Sequence, residues 1–275
     1  MPTSPADSFV PVDGLLGTLP LVAVSVDGPV LQLRLNRPAK RNAINDDLIK
    51  QVHTVFINLP KEVRAVVLSG AGDHFCAGLD LSELAERSAI EGALHSRTWH
   101  ACFDDIQYGR VPVVAALHGA VVGGGLEIAS ACHIRVADDS AYFGFPEGQR
   151  GIFVGGGGSV RVPRLMGAAR MADMMLTGRV LNADEGERVG LCTYRVPAGG
   201  AVDKAVELAR RIAQNAPLST FAVMQALPRI ADLPPAEGLF LESLMAGMAQ
   251  GDDAAKERLR AFLSGKAGKV KPEGA

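Results

Sequence analysis

The chain has 275 residues, of which 48% are hydrophobic and 21% charged, with a formal net charge of -2. That length buries a substantial core, as one large domain or as a domain with a helical appendage, and the composition is ordinary for a soluble globular protein. A near-neutral balance without a Lys/Arg block argues against a nucleic-acid partner, and no apolar run approaches the ~20 residues of a membrane span.

Residues 1–20, rich in Pro, Ser and Gly, read as a loose leader. No basic residue precedes Arg34, so the charged region of a signal peptide is missing, and Pro20 interrupts the apolar stretch 15–26. Cys76, Cys102, Cys132 and Cys192 are scattered without a C-x-x-C pair. That spacing predicts reduced thiols, a cytoplasmic location and no metal site.

Residues 22–26 and 30–35 alternate apolar and polar around Asp27 and Gly28, which predicts a hairpin. Asp46 or Asp47 is expected to cap a helix through Leu48, Val52, Val55 and Phe56. Residues 64–69 form a buried strand ending at Gly70. A second round follows: a helix over about 91–108, a strand over 113–117, a glycine-opened helix through Leu126, Ile128 and Ala129, and a strand over 134–137. Strands alternating with helices at this spacing predict α/β architecture. From about Pro197 the texture changes, and 200–215, 217–230, 236–249 and 252–265 all carry helical spacing. The expected domains are a leader (1–20), a core (21–197), a helical region for self-association (198–266) and a tail (267–275).

Three glycine motifs stand out. The first, from Gly70 to Asp80, follows a strand, and exposed N–H groups at a strand end can receive a carbonyl or a phosphate. The second runs from Gly119 through Gly123, Gly124 and Gly125 to Glu127 and opens a helix, so its first N–H groups lack intrahelical partners and sit at the positive end of the dipole. Neither a phosphate-loop nor a dinucleotide pattern is present, because no Lys follows and Ile128 occupies the last glycine position. The third, Gly155 to Gly158 before Ser159, reads equally as an anion cradle or as close packing of a helix start. Arg161 rules out a serine-hydrolase elbow there.

Two carboxylates accompany these loops. Glu127 lies in the first turn of the glycine-opened helix, where acids are also favoured for dipole reasons alone. Glu147 follows Pro146 among Phe143, Phe145, Ile152 and Phe153, a setting that raises a carboxyl pKa and suits a proton donor; a surface turn is the alternative. Paired acids beside backbone donors predict acid/base chemistry with oxyanion stabilisation. The histidines at 53, 74, 95, 100, 118 and 133 form no metal or triad pattern, and His118 and His133 read as structural.

Taken together, these motifs resemble the enoyl-CoA hydratase/isomerase (crotonase) family from about Val22 to Lys266. The likeness rests on the run Asn36 to Asn45, on Phe75 to Asp80, on Gly119 to Glu127, on Phe143 to Glu147 and on Leu176 to Gly178. It implies a crotonase-like core of repeated ββα units with a helical C-terminal trimerisation region, and a homotrimer or a hexamer built as a dimer of trimers. It implies an acyl-CoA substrate, with CoA carried as part of the substrate rather than as a separate cofactor, and no metal. It further implies that the N–H groups of Leu79 and Gly124 form an oxyanion hole. By the same resemblance Ala39, Ala77 and Asp80 lie near the CoA adenine, Lys40 meets its phosphates, and Phe262 and Lys266 close the site. Glu127 would act as the ionised base toward water and Glu147 as the protonated donor to C2 of a short 2-enoyl thioester. Retention of both acids favours hydration over isomerisation. The sequence departs from the common hydratase pattern at Gln149, Arg150 and Val154. That variant resembles the methylthioacryloyl-CoA hydratase branch, in which hydration is coupled to thioester hydrolysis.

Overall fold

The alternation that predicts a hairpin produces one. The structure of the chain, a computed structural model, describes residues 4–83 and 86–264. Strands β1 (Val10–Pro11), β2 (Val22–Asp27) and β3 (Val30–Leu35) pair antiparallel, and β2 turns into β3 through Gly28 at φ 53°. Such a φ suits glycine because no Cβ meets the backbone there. Helix α1 (Asp46–Ile57) then crosses to β4 (Ala65–Gly70), and α2 (Ala89–Gln107) crosses to β5 (Val113–Leu117). The order β3, β4, β5 is parallel throughout, as right-handed crossover connections require.

After β5 the chain leaves the main sheet for β6 (Ala120–Val122), opens α3 (Gly124–Ala131) and returns as β7 (Ile134–Asp138) beside β5. Strand β8 (Tyr142–Gly144) pairs with β6, and α4 (Gly158–Met166) and α5 (Ala168–Thr177) lead to β9 (Val180–Asn182) against β8. Helix α6 (Ala183–Val189) precedes β10 (Tyr194–Val196), the edge partner of β7. Among the described residues, the main sheet therefore has seven strands and the smaller sheet three.

Strand β4 shows how the layers are built. Val66 and Leu68 join the large core under α1 and α2, while Ala65 and Val67 face a second core with Ala205, Val206 and Ala209 of α7 (Ala201–Ala213). Every residue of β4 is buried, as expected for a parallel strand covered on both faces. The sequence places 200–215 with the helical C-terminal texture; in the structure α7 lies against the sheet. Its small, regularly spaced alanines allow close approach to β4 and β5.

Two compact units divide after Ala213. The second unit holds α8 (Pro217–Gln225), α9 (Leu227–Ile230), α10 (Pro235–Gly251) and α11 (Asp253–Leu263). Pro217 and Pro235 stand at helix starts, where the missing N–H costs nothing. Along this unit Leu239, Phe240, Leu244 and Met248 of α10 are exposed.

One local expectation needs correction. The cap of α1 is Asn45, whose side chain accepts from Leu48 N at 3.0 Å, and not Asp46 or Asp47. The two aspartates instead occupy the first turn, where their charge meets the positive end of the helix dipole. No helix of the described residues is long and apolar enough to cross a membrane.

Candidate active site

Two backbone segments meet at the strand ends. Past β4, the chain 71–80 is laced to its neighbours: Cys76 N donates to Ala120 O at 2.9 Å, Ile44 N to Gly78 O at 2.7 Å, and Asp80 N to Ile44 O at 2.8 Å. These bonds use the groups flanking Leu79. Its own N–H has no acceptor among the described residues. On the other side Gly123 caps α3 at φ 52° and its carbonyl accepts from Leu126 N and Glu127 N at 2.8 and 3.0 Å. Gly124 N–H, the first of the helix, is likewise without an acceptor among the described residues.

Glycine is required at position 123 for two reasons. The left-handed φ strains any other residue, and a Cβ there would sit 2.7 Å from Glu147 Oε1 and 3.8 Å from Gly78 Cα. The same numbers show how near the Gly78–Leu79 turn and the Glu147 carboxyl come to the start of α3.

Glu127 is buried, and α3 is buried along its whole length. Its Oε1 accepts from Gly156 N at 2.8 Å and from Gly158 N at 2.9 Å. The glycine run that reads either as an anion cradle or as close packing does both: its N–H groups meet the protein's own Glu127 carboxyl. A Cβ on Gly156 would lie 2.7 Å from Phe103 and 3.2 Å from the Glu127 carboxyl carbon, so only bare backbone comes this close. Burial pushes the Glu127 pKa up, while the N–H groups of Gly158, Gly156 and Gly155 and the Arg161 charge oppose that shift by favouring the ionised form.

Glu147 follows Pro146 and starts a single 3-10 turn over Gly148–Arg150. It is 7% exposed, and its Oε2 has no hydrogen-bond partner among the described residues. Burial pushes its pKa up to about 7; its own backbone N–H opposes this, Glu127 adds to it and Arg150 opposes it. The two carboxyls thus share one site in unlike environments. One is cradled by N–H groups of another loop, and the other is buried with one oxygen unpartnered among the described residues.

A cavity of about 260 Å³ collects these groups, with Leu79, Gly124, Glu127 and Glu147 all in its wall. Trp99 closes one side, edge-on to Phe103 with ring centroids 5.8 Å apart. Ile152, Phe153 and Val154 supply apolar wall. Of the three departures from the hydratase pattern, only Val154 lines the cavity. Arg150 is exposed, and Gln149 donates to Thr177 O at 3.0 Å, anchoring the loop instead. Two carboxyls in unlike surroundings and two N–H groups without acceptors among the described residues, around one cavity, can add or remove a proton beside a carbonyl whose oxygen takes charge.

The residues expected near CoA divide differently. Ala39 and Lys40 are exposed on a 3-10 turn, and Lys40 Nζ reaches Ser82 Oγ at 3.3 Å. Ala77 N donates to Arg41 O at 3.0 Å, which holds the two loops together. Asp80 is buried, with Oδ1 taking the Ser82 hydroxyl at 2.6 Å and Oδ2 taking Arg37 Nη2 at 2.9 Å. The Ser82 hydroxyl, and then Arg37, hold its carboxyl below the ordinary range against the effect of burial. Both carboxylate oxygens are therefore engaged within the protein. Phe262 lies exposed on α11 of the second unit, and Lys266 falls outside the described residues.

Sequence reasoning passed over two neighbours of the acids, Trp99 and Arg161. A large aromatic in an otherwise polar helix stretch, and a cation three positions past a glycine run, were the available signals. Of the six histidines only His95 lines the cavity, beside Trp99 with ring centroids 6.0 Å apart. His133 sits between Val113 N (3.0 Å) and Gln107 O (3.0 Å), and His118 contacts Gly72 O at 2.9 Å, both structural positions.

The fold is a mixed α/β sheet covered by helices, with two buried carboxyls and two backbone N–H groups around one cavity. The family model described as enoyl-CoA hydratase/isomerase matches residues 26–269, and the chain belongs to that family. A short-chain-enoyl-CoA hydratase of Clostridium acetobutylicum is 35% identical over 245 residues, covering 88% of this chain and 94% of that protein. A crystal structure from Rhodopseudomonas palustris is 61% identical with a TM-score of 0.88, covering 92% of this chain and 98% of that one. An enoyl-CoA hydratase structure from Bacillus anthracis is 30% identical with a TM-score of 0.84, over 92% of this chain and all of that one, 100%.

Proposed function

We propose that the chain hydrates the double bond of a short 2-enoyl-CoA thioester. The observation that carries this reading is the pair of buried carboxyls, Glu127 and Glu147, in one cavity with the N–H-bearing residues Leu79 and Gly124. Attack of water at C3 drives electrons onto the thioester oxygen. Two N–H donors stabilise that enolate, and losing one such donor costs about 3 kcal/mol in the transition state. Glu127, favoured as the anion by its glycine N–H groups, takes the proton from water. Glu147, with its pKa near 7, carries the proton that goes to C2. Their titrations are coupled, since ionising one raises the other.

CoA enters as part of the substrate. Lys40 is an exposed cation of the 37–45 loop on the expected phosphate side, with exposed Arg41 beside it, and Ala39 and Ala77 offer small surfaces for the adenine. Asp80 serves that loop as an internal anchor rather than through a free oxygen. Phe262 and Lys266 belong to this reading as residues that close the site. The exposed apolar residues of α10 support self-association of the helical unit, as a homotrimer or a dimer of trimers.

The test follows conjugated thioester and free thiol together on crotonyl-CoA. Loss of conjugation without thiol release, with the product heavier by one water in mass spectrometry, supports hydration alone. Thiol release points to the methylthioacryloyl-CoA type of coupled hydrolysis, and double-bond migration without water uptake points to isomerisation.

A further inference from the structure

One buried cation beside the acid pair has no place in the chemistry above. Arg161 of α4 is buried, and its guanidinium is held at three points. Nε donates to Gln107 Oε1 at 2.6 Å and Nη2 to Asp104 Oδ1 at 2.7 Å, both on α2, while Nη1 donates to Gly156 O at 3.1 Å. The peptide it grips belongs to the run whose N–H groups meet Glu127 Oε1. A planar fork anchored on two side chains fixes direction as well as distance, which an ammonium does not.

We propose that Arg161 is a positioning residue for Glu127: tied to α2 through Asp104 and Gln107, it clamps the Gly156 carbonyl and so keeps the Gly156 and Gly158 N–H groups aimed at Oε1. The proposal rests on Glu127 being the base toward water. The glycine run has no side chains of its own to hold this shape, and Gly157 stands at φ 93°. A Cβ on Gly157 would lie 2.3 Å from Arg161 Nη1, so the guanidinium fills the space that a side chain would take. The charged and titratable groups around this contact are Glu147, Arg87 and His95 in the cavity wall, Asp104 and His100 from α2, and Cys132 at the end of α3. Arg161 also opposes the upward push that burial exerts on Glu127.

The sign follows directly. Without the clamp and the charge, Glu127 holds its proton to higher pH, and the acid limb of the hydration profile moves up. Each unit of movement is a tenfold loss of the ionised base below the limb. The experiment measures kcat and KM for crotonyl-CoA across pH in the full-length wild type, Arg161→Met, Arg161→Lys and Asp104→Asn. In parallel, infrared spectra follow the carbonyl band of protonated Glu127, identified by its disappearance in Glu127→Gln. The expected result is an acid limb raised by about one unit or more in Arg161→Met, with kcat about tenfold down on that limb, KM little changed, and a smaller shift in Arg161→Lys. The infrared midpoint should move with it. A folded Arg161→Met with an unmoved limb and band, its activity lowered equally at every pH, overturns the proposal. Should Arg161→Met fail to fold, unmoved midpoints in both Arg161→Lys and Asp104→Asn overturn it. Absence of hydration in the wild type defeats the functional reading, while the infrared midpoint still decides the role of Arg161.

Discussion

Two glutamates of the same chemistry are made different by what surrounds them. Glu127 receives N–H donors from Gly156 and Gly158, whereas Glu147 Oε2 has none. Replacing either by Gln should lower crotonyl-CoA hydration by a factor of ~10² or more while CoA binding persists, as titration calorimetry can check. The raised pKa of Glu147 also carries a stability prediction. A group that binds its proton more tightly when folded supports the fold fully below its ordinary value of 4.5, and that support is lost as pH rises through about 7. Glu147→Gln removes the burden of a buried charge. Its stability relative to wild type should therefore grow between pH 5 and 8 by about 1–3 kcal/mol in urea unfolding; an equal difference at both ends would contradict the assigned environment. Both acids were legible in the sequence because each sits beside backbone-constraining residues. The partner of Glu127 was not, because a glycine run 29 to 31 positions later announces exposed N–H groups without saying what they hold. The cap of α1 was misplaced by one or two residues for a similar reason: Asn45, Asp46 and Asp47 all offer a side-chain oxygen, and only the backbone turn at Asn45 selects among them.

The elements act by bringing chain ends together. Strand β4 delivers the Gly78–Leu79 turn, and the β6–α3 junction delivers Gly124 and, one turn later, Glu127. The junction depends on Gly123. Gly123→Ala should cost about 1–3 kcal/mol of stability in thermal or urea unfolding, from its left-handed φ alone. Because its Cβ would press on Glu147 Oε1, activity should fall further than stability does. An active, equally stable alanine variant would remove that close contact from the account. Hairpin, crossover helices and parallel strands were readable from periodicity, since a period of two or 3.6 is a local property. The placement of α7 was not. Its alanines have helical spacing, but whether such a face meets a sheet or other helices depends on residues more than a hundred positions away, such as Ala65 and Val67.

Over the whole molecule, the resemblance supplied what periodicity could not: which ordered motifs share a site. The strands that carry them lie in two sheets, β3, β4 and β5 in the larger and β6, β8 and β9 in the smaller, while the chain between them is long. The second unit makes a separate prediction. With Leu239, Phe240, Leu244 and Met248 exposed on α10, the protein should sediment as a multimer, and Leu244→Glu should shift it toward monomer in analytical ultracentrifugation. A monomeric wild type would leave that apolar surface without its proposed partner. The central claim is that the Glu127–Glu147 pair, with Leu79 and Gly124 N–H groups, adds water to a 2-enoyl thioester. The most direct measurement is the rate of crotonyl-CoA hydration by wild type, Glu127→Gln and Glu147→Gln at neutral pH, with mass-spectrometric detection of the 3-hydroxyacyl product. Product formed by the wild type and suppressed at least ~10²-fold in both variants is the predicted result. Full hydration by either variant, or no hydrated product from the wild type across short 2-enoyl-CoA thioesters, would contradict it.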